Sequence, residues 1–264
     1  MHRLTVFGVT GRMGQAVLRA VREGGEFALA GAVASEHSAS LGRDAVLDGP
    51  PCGVRVSADA AAALAGVAVA LDFSAAPAVA GHAAACAAAG VPLVVGTTGL
   101  DPGTVEVLRE AAARIALLVA PNTSIGVNLL ERLTAIAARS LGDAFDVEIL
   151  EAHHRAKRDA PSGTAIRLGE AVAAARGEPL AVHAEFDRHG DVGPRRAGAI
   201  GFAVVRGGDV VGEHTVLFAG DGERIELTHR ATDRMIFARG ALRAAAWIVG
   251  RAPGFYRMQD VLGL

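Results

Sequence analysis

A largely apolar run, Leu4–Phe7, stops abruptly at Gly8, and glycine returns at Gly11 and Gly14 before an amphipathic pattern carries on to Arg22. The run reads as a buried strand and Arg12–Arg22 as a helix, so the chain must reverse direction within a few residues. That constrains the fold more than any other stretch. Where side chains are missing, a diphosphate can approach the backbone, and the N–H groups of the first helical turn supply donors at the positive end of the helix dipole. Gly14 allows the helix to pack closely on the strand. The spacing is G-x-x-G-x-x-G, with Thr10 standing where G-x-G-x-x-G has its second glycine. Arg12 adds a guanidinium able to stack on an adenine or to meet a phosphate.

The loop opens an alternating series. Ala28–Val33, Val67–Asp72, Val91–Val95 and Ile115–Val119 read as further buried strands, each bounded by Gly, Pro or polar residues, with helices at Ala76–Ala89 and Val105–Ala113. Strands buried on both faces with helices between them predict βαβ units around a parallel sheet. In that setting the segment Gly8, Val9, Thr10, Gly11, Arg12 and Met13 is a dinucleotide cradle. Loops that prefer NAD carry an acidic residue about 20 positions further on, at the end of the second strand. Here that strand ends Val33-Ala34-Ser35-Glu36-His37. Ala34 and Ser35 occupy the expected positions, Ser35 joins the cofactor contacts, and NADH or NADPH both remain open.

The 264 residues suit two lobes. The pattern changes near Gly126. A helix over Val127–Ser140 precedes a strand at Asp146–Glu151, a polar loop and a helix over Gly163–Ala175. Phe202–Val205, Val210–Phe218 and Arg224–Thr228 then largely alternate apolar with polar residues around Gly207-Gly208 and Gly220-Asp221-Gly222, predicting hairpins in a mixed sheet with one exposed face. Asp191–Ala199 reads as a mobile loop, and helix returns over Met235–Val249. The expected class is therefore α/β: a Rossmann-like parallel-sheet domain plus a smaller α+β domain with a mixed sheet.

Between the strand and the Gly163 helix lies Glu151-Ala152-His153-His154-Arg155-Ala156-Lys157-Arg158-Asp159-Ala160-Pro161-Ser162-Gly163-Thr164-Ala165. Two histidines beside three fixed cations are costly unless solvated or facing an anion, and the Ser-Gly-Thr helix start adds backbone donors. The combination predicts a pocket for carboxylates. Zinc is not expected, because adjacent His153 and His154 diverge and no second pair completes a tetrahedron. Without a G-x-S-x-G elbow a serine hydrolase is disfavoured. His214 and His229 read as structural histidines.

Bulk properties remove other classes. A net charge of −2 gives no attraction for polyanions, which sets nucleic acid aside. The alanine-rich stretch from Ala58 to Ala70 is too short for a bilayer, which needs about 20 residues, and Asp59 interrupts it, so no membrane partner is expected. Cys52 and Cys86 match no disulfide framework or metal pair and read as buried free thiols in a reducing cytoplasm.

The run from Glu151 through His153, His154 and Lys157 to Pro161-Ser162-Gly163-Thr164-Ala165 resembles the signature of the 4-hydroxy-tetrahydrodipicolinate reductase (dihydrodipicolinate reductase) family. So do Gly8 to Gly14, Asp72-Phe73-Ser74, Gly96-Thr97-Thr98-Gly99, Ala120-Pro121-Asn122-Thr123-Ser124, Arg206 to His214 and the closing Asp260 to Leu264. The resemblance covers nearly the whole chain. It implies hydride transfer from NADH or NADPH to a cyclic imine bearing two carboxylates. It makes His153 and Lys157 the proton donors and His154, Gly163 and Thr164 substrate contacts, and it adds Gly96, Thr97, Thr98, Ala120, Pro121, Asn122 and Thr123 to the cofactor contacts. It also implies residues 1–125 with 235–264 as the dinucleotide-binding domain, 126–234 as the substrate-binding and oligomerisation domain, and a homotetramer. Two departures stand out: Ala34-Ser35 where the family often has an acidic residue and arginine, and Ala75 where many members have arginine. Another two-lobed dehydrogenase, or a binding protein that holds NADP without turnover, are the competing readings.

Overall fold

The computed structural model describes residues 1–264. Along the chain come β1 (His2–Phe7), α1 (Arg12–Gly24), β2 (Phe27–Val33), β3 (Val56–Ser57), β4 (Val69–Asp72), α2 (Ala76–Ala89), β5 (Leu93–Val95), α3 (Pro102–Ala112) and β6 (Ala116–Val119). There follow α4 (Ile125–Leu141), β7 (Asp146–His153), α5 (Gly163–Ala175), α6 (Leu180–His183), β8 (Ala184–Glu185), β9 (Ile200–Arg206), β10 (Gly212–Gly220) and β11 (Glu223–Ala231). The chain closes with α7 (Met235–Ile248), β12 (Gly254–Tyr256) and α8 (Met258–Leu262). These elements form two compact units, Met1–Ile125 with Met235–Leu264, and Gly126–Arg234. No helix is long and apolar enough to cross a membrane.

The first unit is built on a seven-stranded parallel sheet in the order β12-β6-β5-β4-β1-β2-β3. Because side chains alternate along a strand, Leu4 and Val6 of β1 join a core with α1 and α7, while Phe7 joins a second core with α2 and α3 on the opposite face. Both faces are dry, which is why the strands read as near-continuous apolar runs. Burying a side chain such as Phe7 or Leu118 contributes about 1.5–3 kcal/mol. β3, β12 and α8 escape sequence reading, since two, three and five residues are too few to show a period.

One expectation fails in this unit. Cys86 is buried inside α2, and burial pushes its thiol pKa up, but Cys52 is exposed. It follows Pro50-Pro51 in the long β2–β3 connection, and Asp44 collects the N–H groups of Cys52 and Gly53 at 3.1 and 2.8 Å. This turn is stabilised by a carboxylate and needs no apolar packing.

The second unit carries a five-stranded sheet in the order β11-β10-β7-β9-β8. β10 pairs antiparallel with β7 and β11, whereas β9 runs parallel to both β7 and β8. The Gly220-Asp221-Gly222 turn makes the expected hairpin, but Gly207-Gly208 does not: β7 intervenes between β9 and β10. Instead the Gly207 N–H donates to His153 O at 3.0 Å and the Arg155 N–H to Gly208 O at 3.2 Å, so the glycine pair wraps the end of β7. Backbone pairing also corrects the end of that strand. β7 continues to His153 because its parallel partner β9 continues to Arg206, opposite it. Helices α4 and α5 cover the face carrying Val147, Ile149, Ile200, Phe202, Val216 and Phe218. The irregular stretch Asp191–Ala199 is tied down by Arg195, which bonds Glu148 at 3.0 Å and the carbonyls of Val147 and Ala199 at 2.8 Å each.

Candidate functional site

Register places the first set of candidate residues. Phe7 lies opposite Asp72, Asp72 opposite Val95 and Val95 opposite Val119, so Gly8, Phe73, Gly96 and Ala120 are each the next residue past one row of parallel strand ends. β1 and β4 are neighbours at the point where strand order reverses, the position at which open α/β sheets bind ligands. A cavity of about 500 Å³ opens there, lined by Gly8, Thr10, Gly11, Ser35 and Glu36 on one side and by Phe73, Ser74 and His82 on the other. Gly8 sits at φ +73°, and a Cβ on it would stand 2.5 Å from the Phe73 carbonyl oxygen. Gly11 is the N-cap of α1 and offers no side-chain cap, nor is there an acidic residue in the first turn. That helix start is open to an anion, with Arg12 exposed at its first position.

Gly14 acts on the loop itself: a Cβ there would lie 2.5 Å from both the Gly8 and Val9 carbonyl oxygens. Gly14→Ala is therefore expected to cost about 1–3 kcal/mol of stability through overpacking and to weaken dinucleotide binding about tenfold or more by displacing the loop. Fluorescence titration with the reduced dinucleotide checks this; wild-type affinity in the variant removes the loop from the site.

Behind the cavity, Asp72 is fully buried and saturated. Ser74 donates to Oδ1 from its N–H and hydroxyl at 2.8 and 2.6 Å, the Thr97 hydroxyl lies 3.2 Å away, and His82 Nδ1 meets Oδ2 at 2.8 Å. Burial raises the Asp72 pKa, but the hydrogen bonds of His82 and Ser74 outweigh it and hold the carboxyl below its usual value. The network staples the ends of β4 and β5, with the Thr97 hydroxyl bonded to Asp72 and to the Ser74 carbonyl. The Ala120–Thr123 segment is shaped locally: the Ala120 N–H donates to Val95 O at 2.8 Å, Asn122 Oδ1 accepts from the Ser124 N–H at 2.9 Å, and the Thr123 hydroxyl donates to Phe237 O at 2.7 Å.

The second set lies in the other unit. Along β7 the buried face reads Val147, Ile149, Glu151, His153, so the pleat turns from apolar to ionisable without leaving the core side. His153 Nδ1 lies 2.6 Å from Glu151 Oε2. Arg206 grips both oxygens of Glu151 at 2.7 and 2.8 Å, and the Ser162 N–H adds a bond of 2.9 Å. Burial raises the Glu151 pKa, yet Arg206, His153 and Ser162 together keep it below the usual range. For His153, burial is the largest influence and lowers its pKa; Glu151 opposes this, and Lys157 and Arg206 reinforce it. His214, pushed down to about 3 by burial, is neutral and shares a 3.0 Å hydrogen bond with the Ser162 hydroxyl. Ser162 also caps α5 by accepting from the Ala165 N–H at 3.2 Å. Lys157, on the loop after β7, reaches both oxygens of Asp159 at 2.9 Å. An imidazole, an ammonium and a helix start are thus gathered in one unit, a set able to bind carboxylates and exchange a proton.

Comparison with known proteins identifies the family. Residues 2–123 match the family described as dihydrodipicolinate reductase, N-terminus, and residues 126–262 its C-terminus. The chain belongs to the dihydrodipicolinate reductase family. A 4-hydroxy-tetrahydrodipicolinate reductase of Anaeromyxobacter dehalogenans (strain 2CP-C) is 52% identical, covering 100% of this chain and 98% of the relative. Another, from Thiobacillus denitrificans, is 52% identical over 99% and 98%. Among solved structures, dipicolinate-bound dihydrodipicolinate reductase from Paenisporosarcina sp. TG-14 superposes with a TM-score of 0.78 at 25% identity, covering 98% of each chain. An amine dehydrogenase from Mycobacterium smegmatis shares the fold at a TM-score of 0.59, with 15% identity over 96% and 94% of the two chains.

Within the family's signature, two residues acquire a role that sequence reasoning did not assign. Glu151 and Arg206 stand in the resemblance only as parts of a motif, yet in the structure they form the support of His153. The signal was available for Glu151, since residues two apart on a strand share a face; for Arg206 it was not, because its contact spans 55 residues. His154 lies beside the cluster with its Nδ1 buried and without a hydrogen-bond partner, while Gly163 and Thr164 open α5.

Proposed function

We propose that this chain catalyses the nicotinamide-dependent reduction of 4-hydroxy-tetrahydrodipicolinate to tetrahydrodipicolinate in lysine and diaminopimelate biosynthesis. The observation that carries the reading is the buried Glu151–His153 pair beside Lys157 and the α5 start, in a chain whose full-length relatives bear that activity as their name. The open cradle at Gly8–Gly11 fits a dinucleotide diphosphate: its helix start lacks a side-chain cap, it faces a cavity of about 500 Å³, and Arg12 brings a cation. Gly8, Val9, Thr10, Gly11, Arg12, Met13 and Ser35 would hold the adenylate half, and Gly96, Thr97, Thr98 and Ala120–Thr123 the nicotinamide half.

A reduced nicotinamide, when bound, supplies hydride. The protein's residues do the rest. His154, Lys157 and the N–H groups of Gly163 and Thr164 bind the two substrate carboxylates through charge-assisted hydrogen bonds. Loss of the 4-hydroxyl as water leaves the conjugated cyclic imine; hydride addition to it leaves an electron-rich atom that gains one proton, and His153 or Lys157 supplies it. The solvent-facing side of the second unit's sheet, with Leu150 42% and Val205 60% exposed, is the surface we assign to assembly of a homotetramer. Reduced pyridine nucleotide and two unpaired thiols suit the cytoplasm.

On cofactor choice, β2 ends at Val33 and is followed by Ala34 and Ser35, with no carboxylate at either position, while Arg12 is exposed at the cavity's helix start. We expect NADPH to serve at least as well as NADH. Steady-state kcat/KM for both with the dipicolinate precursor, and with aspartate semialdehyde as control substrate, tests function and preference together. Oxidation only with the semialdehyde, or binding without turnover, overturns the function. A strong preference for NADH would assign the ribose hydroxyls to Glu36, the one acidic residue lining the cavity.

A further inference from the structure

A buried carboxylate is tolerated only when its oxygens are saturated. The Glu151 side chain is 0% exposed, and its four contacts are Arg206 twice, the Ser162 N–H and His153 Nδ1. An ionised carboxylate only accepts hydrogen bonds, so in the 2.6 Å contact the hydrogen sits on Nδ1. The opposite nitrogen, Nε2, faces Gly212, where a Cβ would stand 3.0 Å away; glycine keeps a side chain off that nitrogen.

We propose that Glu151, clamped by Arg206, is a positioning residue for proton transfer, holding His153 with hydrogen on Nδ1 so that Nε2 is the nitrogen that exchanges a proton with substrate. The inference rests on the reading of His153 as a proton donor. The charged or titratable groups facing the ring are Glu151 on β7, Lys157 on the loop beyond it, Arg206 at the end of β9 and His214 on β10, whose ring centre is 5.1 Å away. Of these, only Glu151 favours the imidazolium. Lys157 and Arg206 oppose it, and His214 is neutral. Arg206 therefore acts in two senses: it keeps the carboxylate ionised and fixed, and its charge moderates how strongly that carboxylate holds the proton.

The first test needs no variant. Nitrogen-15 NMR of the His153 ring in the full chain, above its titration, is expected to show Nδ1 protonated and Nε2 bare; the reverse tautomer overturns the proposal. The second is the pH profile of kcat/KM in Glu151→Gln. Loss of the carboxylate removes the group that stabilises the imidazolium, so His153 gives up its proton at lower pH. The basic limb should move down by about one unit or more, with kcat falling more than KM rises. A uniform loss at every pH with the limb unmoved is a structural effect and overturns the role. Should Glu151→Gln not fold, Glu151→Asp keeps a charge for Arg206 while withdrawing it from Nδ1, and the same limb is read. His153→Gln separates the two failures. Wild-type turnover there removes the proton-donor reading itself, whereas an inactive His153→Gln with an unshifted Glu151→Gln profile removes only the positioning role.

Discussion

Replacing His153 by glutamine lowers kcat about 10²- to 10⁴-fold, the range that a positioned acid or base contributes, with little change in dinucleotide affinity. Glutamine keeps polar atoms near Glu151 but has no proton to deliver near neutral pH. Affinity for the cofactor is expected to hold because His153 lies at the end of β7, in the second unit, and the glycine cradle belongs to the first. Single-turnover kinetics with the dipicolinate precursor, alongside a dinucleotide titration, distinguish the two effects. Equal turnover in the variant removes His153 from the chemistry.

Lys157→Ala is expected to raise KM and lower kcat together, with kcat/KM down about 100-fold or more. A hydrogen bond to a charged group carries about 1.5–3 kcal/mol, each 1.4 kcal/mol is about tenfold, and loss of a proton donor adds to that. A second consequence follows from the ion pair. Asp159 has its carboxyl held below the usual range first by Lys157. Without the ammonium, the Asp159 carboxylate would lose its nearest cation beside the residues proposed to bind a dianion. Unchanged KM and rate would sink the assignment, while a rise in KM alone would reduce Lys157 to a binding residue.

These expectations draw on the sequence to different depths. The parallel sheet was legible because burial on both faces leaves short apolar runs punctuated by glycine and proline, and the helix over Ala76–Ala89 was read to the residue. The proposed cradle could be read because its pattern is local: Gly8, Gly11 and Gly14 lie within seven residues. The proposed His153 and Lys157 cluster could be read for the same reason. What failed were pairings between distant segments. Gly207-Gly208 looks like a hairpin turn, but the neighbour of β9 is β7, because the strand that continues its buried alternation from Val147 to His153 takes the sheet's interior position. Cys52 looked like a core thiol until Asp44 was seen to organise its turn.

By itself, then, the sequence determined most of the strands and helices and brought the glycine loop and the His153–Lys157 run into view, since each depends on residues a few positions apart. Tertiary structure alone decided that Arg206 crosses to Glu151, that Glu151 meets His153 Nδ1, and that Gly8, Phe73, Gly96 and Ala120 follow one row of strand ends. The physical reason is that a buried charge is stable only when its partners surround it, and those partners arrive from strands and loops whose register is fixed by packing and backbone pairing.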